Sequence, residues 1–73
     1  MIRPGIYKHY KGKLYRVHYA AKHSETLEEF VVYESLYENK ESKYWIRPLK
    51  MFMENVKHKN ETVSRFTFIK DPH

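Results

Sequence analysis

The run His23-Ser24-Glu25 holds the three residue types of a hydrolase triad. A working triad needs nucleophile, base and orienting acid to converge on one point. Three consecutive side chains splay instead, so this run reads as a loop shaped by His23 and Ser24 and capped by Glu25 or Thr26. No other nucleophile stands beside a base, and the chain reads as a non-enzyme. Five histidines raise the question of a metal. No pair has the spacing of one helical face, and Cys is absent. His9 and His23 meet only if two strands bring them together near Glu25, and nothing in the spacing fixes a third ligand. No metal site and no cofactor are expected.

Aromatic and cationic residues make a stronger pattern. Tyr7-Lys8, Tyr10-Lys11, Tyr15-Arg16, Lys43-Tyr44-Trp45 and Trp45-Ile46-Arg47 place rings beside positive charge along the chain. Small β-domains bind single strands by stacking bases on such rings beside a basic groove. A second chemistry is open to the same residues. Tyr33, Trp45 and Arg47, with His23 and Glu25 from a neighbouring loop, are candidates to line one cleft for a peptide, a protein or a small ligand. Trp45 and Arg47 are two apart and share a strand face, with Tyr44 and Ile46 on the other. If Ile46 is core, Trp45 and Arg47 point outward, the composition of a binding hot spot. The reverse orientation makes Trp45 the core residue. The candidate binding set is Tyr7, His9, Tyr10, His23, Glu25, Tyr33, Trp45 and Arg47.

The bulk numbers agree with a binding role. A chain of 73 residues is one small domain, residues 1–73, with its ordered core at about 5–69. Net charge is +5, from 14 Lys and Arg against 9 Asp and Glu, which favours acidic partners, nucleic acid first. The charges are interleaved, so the same numbers also describe a solvated lysine-rich surface. With no Cys there are no disulfides, which fits a reducing cytoplasm. Residues 1–5 lack the apolar run of a signal peptide, and no segment approaches the ~20 apolar residues of a membrane span. Seven Tyr, four Phe and one Trp give more rings than so small a core has room for. Phe66, Phe68, Phe30, Ile46, Tyr15 and Tyr19 are assigned inside. Tyr7, Tyr10, Tyr33 and Trp45 are then left for the surface.

These residues need strands to hold them. Gly5 to Tyr10 and Leu14 to Ala21 alternate with period two, joined at Lys11-Gly12-Lys13. In the second segment Tyr15, Val17, Tyr19 and Ala21 share a face. Thr26-Leu27-Glu28-Glu29 resembles a helix capping box. The β-branched and aromatic run Phe30-Val31-Val32-Tyr33 favours a strand over that helix. Glu38 to Lys43 is a polar loop with Asn39 as its turn residue. Tyr44 to Arg47 is a short strand ended by Pro48. Leu49, Phe52, Met53 and Val56 form a helical stripe of about two turns. Lys57 to Ser64 reads as a hydrophilic loop, Arg65 to Ile69 as the closing strand and Lys70 to His73 as a frayed tail. Five strands with one short helical turn before the last are the plan of an SH3-like barrel, curled to protect its edges.

The wording also resembles a known family. Gly5-x-Tyr7-x-His9-Tyr10-Lys11-Gly12-x-x-Tyr15-x-Val17 begins the match. Ala21-x-His23-Ser24-Glu25-Thr26, Val31-Val32-Tyr33-x-x-Leu36-Tyr37, Trp45-x-Arg47-Pro48 and Met51-Phe52-x-Glu54 follow in order. This is similar to a bacterial family of small domains catalogued as domain of unknown function 1653. The resemblance implies a small mainly β, SH3-like barrel and implies no activity. The expectation is a non-enzymatic binding module with an aromatic-basic surface and single-stranded nucleic acid as the favoured partner. The alternative is an accessory domain for peptide, protein or small-ligand recognition.

Overall fold

The computed structural model describes residues 2–72. In chain order it forms β1 (Gly5–His9), β2 (Leu14–Lys22), β3 (Glu29–Ser35), β4 (Tyr44–Pro48), α1 (Leu49–Phe52), β5 (Asn55–His58), β6 (Glu61–Ser64) and β7 (Phe66–Lys70). The fold is mainly β. It corrects the five-stranded barrel: among the described residues there are seven strands in two sheets, and neither closes. Five strands run antiparallel in the order β4-β3-β2-β1-β7, and β5 pairs with β6 as a separate hairpin. Among the described residues no helix is long and apolar enough to cross a membrane.

The two extra strands lie where the sequence reads as loop and helix. Val56 and Val63 are the only apolar residues of the hairpin, and they are direct cross-strand partners. Lys59 and Asn60 join the strands with φ of 51° and 65°. Two successive left-handed residues match the right-handed twist of a tight hairpin. The helical stripe expected from Leu49 to Val56 therefore stops early. It holds Leu49 and Phe52 against the core, leaves Met53 exposed and hands Val56 to β5. The helical turn precedes this hairpin, not the last strand. The tail is tied down as far as Asp71, which pairs with Arg3 at 2.8 Å; His73 lies outside the described residues.

Two further expectations are corrected by register. In β2 the pairing slips between Val17, opposite Tyr33, and Tyr19, opposite Val32. The bulge at His18 reverses the alternation, because each added residue turns the next side chain to the other face. Tyr15 and Val17 point inward, Ala20 follows them, and Tyr19 is exposed. In β4, Trp45 lies opposite Tyr33 and Arg47 opposite Val31, while Ile46 lies opposite Val32. Val31 and Tyr33 are buried, so Trp45 and Arg47 share the inner face and Ile46 is left 65% exposed. Ile46 is not core.

The core is built largely of rings. Phe52 of α1 stacks on Phe66 of β7, centroids 4.0 Å apart and planes 4° from parallel. Tyr7 and Tyr33 meet Phe52 edge-on at 5.6 and 5.4 Å. Edge-to-face pairing suits the ring quadrupole. Tyr7 and Tyr33 are therefore buried, against the expectation that both are surplus to the core. Their hydroxyls make this possible. Tyr7 donates to the carbonyl of Arg3 at 2.7 Å, and Tyr33 accepts from Arg47 Nε at 3.3 Å. On the outer face, buried Glu34 takes a 2.7 Å hydrogen bond from His18 Nε2 and lies 3.5 Å from Lys43 Nζ.

Candidate functional site

The inner face opens at its β4 end into a cleft of about 200 Å³, lined by Tyr15, Tyr33, Tyr37, Asn39, Trp45 and Arg47. Strand pairing explains the convergence. Tyr15 lies opposite Ser35, Tyr33 opposite Trp45, and Arg47 is two residues beyond Trp45 on the same face. Beyond β3, Leu36 N–H still bonds to Leu14 O at 3.1 Å, which carries Tyr37 back toward Tyr15. The Tyr15 and Tyr37 hydroxyls are 2.7 Å apart. Asn39 closes the rim as an Asx turn: its Oδ1 accepts the N–H of Glu41 at 2.9 Å, and its Nδ2 donates to the Tyr37 hydroxyl at 3.4 Å.

The charge in this cleft is one-sided. Arg47 donates through Nε to Tyr33 and lies 5.9 Å from the centroid of Phe66. Among the described residues no carboxylate pairs with it, although Arg3 and Arg65 both have acidic partners. Lys13 Nζ sits 4.9 Å from the Tyr37 ring. Trp45 Nε1 is spent on buried Ser35 Oγ at 2.7 Å, which holds the indole in place. Burial raises the Tyr15 hydroxyl pKa above the ordinary phenol value, and its hydrogen bond with Tyr37 adds to the shift. Nearby, burial lowers His9 below the usual imidazole value, and the positive charges of Arg47, Arg65 and Lys11 push the same way. Two other hollows, of about 350 and 420 Å³, lack this character. One is walled mainly by core side chains, and the other mixes Glu28 and Glu29 with Lys50.

Three of the eight residues singled out from the sequence meet in the cleft: Tyr33, Trp45 and Arg47. Tyr7 is core. His9 packs on Tyr10 at 4.5 Å and on Phe66 at 5.0 Å, and its Nδ1 accepts the N–H of Lys11. Tyr10 turns toward His58, centroids 5.2 Å apart. His23 and Glu25 occupy the turn between β2 and β3; the end of β2 at Lys22 is already seven residues from Tyr15, a run of roughly 23 Å at ~3.3 Å per residue. There His23 Nδ1 accepts the N–H groups of Glu25 and Thr26, and His23 serves the turn. Tyr37 and Asn39 also line the cleft and lie outside the candidate set the sequence offers. The sequence signals for them are the place of Tyr37 in the family motif, four residues beyond Tyr33, and the turn preference of Asn39.

This is a small open-sheet β-domain carrying an aromatic cleft with one uncompensated arginine. The chain belongs to the family described as protein of unknown function, DUF1653, whose profile matches residues 5–68. It is similar to a crystal structure of a DUF1653 protein from Bordetella bronchiseptica, with 33% identity, 99% of this chain and 92% of that one covered, and a TM-score of 0.91. Among curated proteins none matches the chain.

Proposed function

We propose that this chain is a binding module rather than an enzyme, and that it engages single-stranded nucleic acid through the cleft at the end of β4. The observation that supports this is Arg47, a guanidinium held among tyrosines and a tryptophan with no acid among the described residues to neutralise it. A cation beside half-buried rings suits a partner that carries negative charge and planar groups together. The net charge of +5 favours the same partner. The absence of cysteine fits action in a reducing cytoplasm. A second reading, a small ligand or the end of a peptide, draws on the size of the cleft, which has room for one group rather than a chain.

Trp45 is the sole tryptophan and reports directly on the cleft. Titration with labelled single-stranded DNA and RNA should give saturable anisotropy, quench the Trp45 fluorescence and weaken steeply with salt. A stacked base is worth ~1–3 kcal/mol. Trp45→Ala should therefore weaken binding about 5- to 150-fold, and Arg47→Gln should weaken it and flatten the salt dependence. Binding no tighter than to an equally basic control protein overturns the reading. Saturable binding of a small ligand or peptide in its place establishes the second.

A further inference from the structure

We infer that the cleft is a receptor for an oxyanion, a phosphate or carboxylate group, because it is rich in unspent donors and the one charged side chain that lines it is a cation. This rests on the same site as the binding role above and specifies what that site holds. The polarity follows from groups that can only donate. Arg47 has five N–H groups and no acceptor. Its Nε–H is given to the Tyr33 hydroxyl, so that oxygen is an acceptor there and its own hydrogen remains free. The backbone N–H of Glu41 can only donate, so the atom of Asn39 facing it must be the carbonyl oxygen. That fixes the amide and turns its NH₂ toward Tyr37 and the cleft, with one hydrogen directed at the Tyr37 oxygen and the other unspent. Tyr15 and Tyr37 have two hydroxyl hydrogens between them. Their 2.7 Å bond uses one, whichever residue donates. Trp45 takes no part, because its N–H is already given to Ser35.

Among the residues lining the cleft, the unspent donors are the outer N–H groups of Arg47, one Asn39 N–H, the Tyr33 O–H and one O–H of the Tyr15–Tyr37 pair. No Asp or Glu lines it. A ligand group that itself donates finds only the spare lone pairs of hydroxyls. A group with several acceptor oxygens and negative charge has bonds to accept from several of these donors, and charge-assisted bonds to guanidinium are the strong ones. A protonated amine meets Arg47 head-on and is excluded.

The test uses the whole chain and reads side-chain NMR signals. Inorganic phosphate, benzoate and benzylammonium are titrated separately while the Arg47 Nε–H, the Asn39 NH₂ and the Trp45 indole N–H are followed. Phosphate or benzoate should shift the Arg47 and Asn39 signals saturably in the millimolar range, and benzylammonium should not. Phosphate preferred over benzoate assigns the oxyanion to a phosphate-bearing partner, and the reverse order assigns it to a carboxylate. Asn39→Asp is the decisive variant. Its carboxylate still accepts the Glu41 N–H, so the turn is kept while a donor becomes a negative acceptor. It should weaken the anion at least about tenfold, and Arg47→Gln, which removes the charge outside the turn, should do the same. Equal anion binding by Asn39→Asp and wild type, no anion binding at all, or binding of benzylammonium as tight as that of the anions overturns the inference. Anion binding without oligonucleotide binding overturns only the nucleic-acid reading. Oligonucleotide binding untouched by Asn39→Asp overturns only the oxyanion receptor.

Discussion

Phe52 decides how the short helix is held to the sheet, and its removal has a calculable effect. The side chain is 1% exposed, so nearly the whole ring leaves water on folding. It stacks on Phe66 and meets Tyr7 and Tyr33 edge-on. Truncating a buried Phe to Ala costs ~3–5 kcal/mol, and aromatic pairing places this site toward the upper end. A domain of 73 residues has a total stability of roughly 4–11 kcal/mol. Phe52→Ala should therefore remove about half of it and lower Tm by roughly 15–35 °C, at ~4–8 °C per kcal/mol. Phe52→Leu keeps most of the apolar volume but loses the ring pairing and should cost about 1–3 kcal/mol, less than Phe52→Ala. Urea unfolding followed by Trp45 fluorescence measures both variants, since Trp45 packs on the same core. A loss below ~1.5 kcal/mol for Phe52→Ala, with an unchanged m-value, would refute the reasoning. It would mean that α1 is not docked through this ring.

The Glu34 carboxyl is held below the usual carboxylate range, first by the hydrogen bond from His18 and, against opposing desolvation, by Lys43. A depressed folded-state value contributes stability that is present above about pH 4.5 and lost as the pH falls through the lower folded value. Glu34→Gln should melt below wild type at pH 7 and converge with it on acidification; a gap that stays constant down to pH 3 removes the carboxylate as its cause. Ile46→Lys tests the orientation of β4. It should change stability by no more than ~0.5 kcal/mol in thermal melts, as expected for an exposed site. A loss of several kcal/mol there would return Ile46 to the core.

Period two made β1, β2, β3 and β4 legible, and it placed Tyr33, Trp45 and Arg47 on common faces. Alternation separates two faces without saying which is wet. For β4 that choice is made by Val31 and Tyr33 of the neighbouring strand, whose burial turns Trp45 inward. The bulge at His18 carries no residue signature, so alternation alone places Tyr19 on the wrong side. The β5–β6 hairpin was illegible because one Val–Val pair among charged residues looks like a loop. Its pairing is set by the backbone at Lys59 and Asn60. The oxyanion geometry was hidden for a related reason. Alternation carries Tyr37 onto the face of Tyr33, but Asn39 lies in the loop beyond β3, where no periodicity assigns a direction.

The Arg3–Asp71 ion pair and the β1–β7 pairing determine how the domain bears load. Because β1 and β7 are antiparallel, the chain enters and leaves at the same end of one seam. A force applied through both ends opens the seam one hydrogen bond at a time, as a zipper, rather than shearing all of its bonds together. A domain strung between two tethers in this way yields to a weak pull. It opens first at the edge of the sheet opposite β4, so the Arg47 cleft is among the last parts to lose its shape.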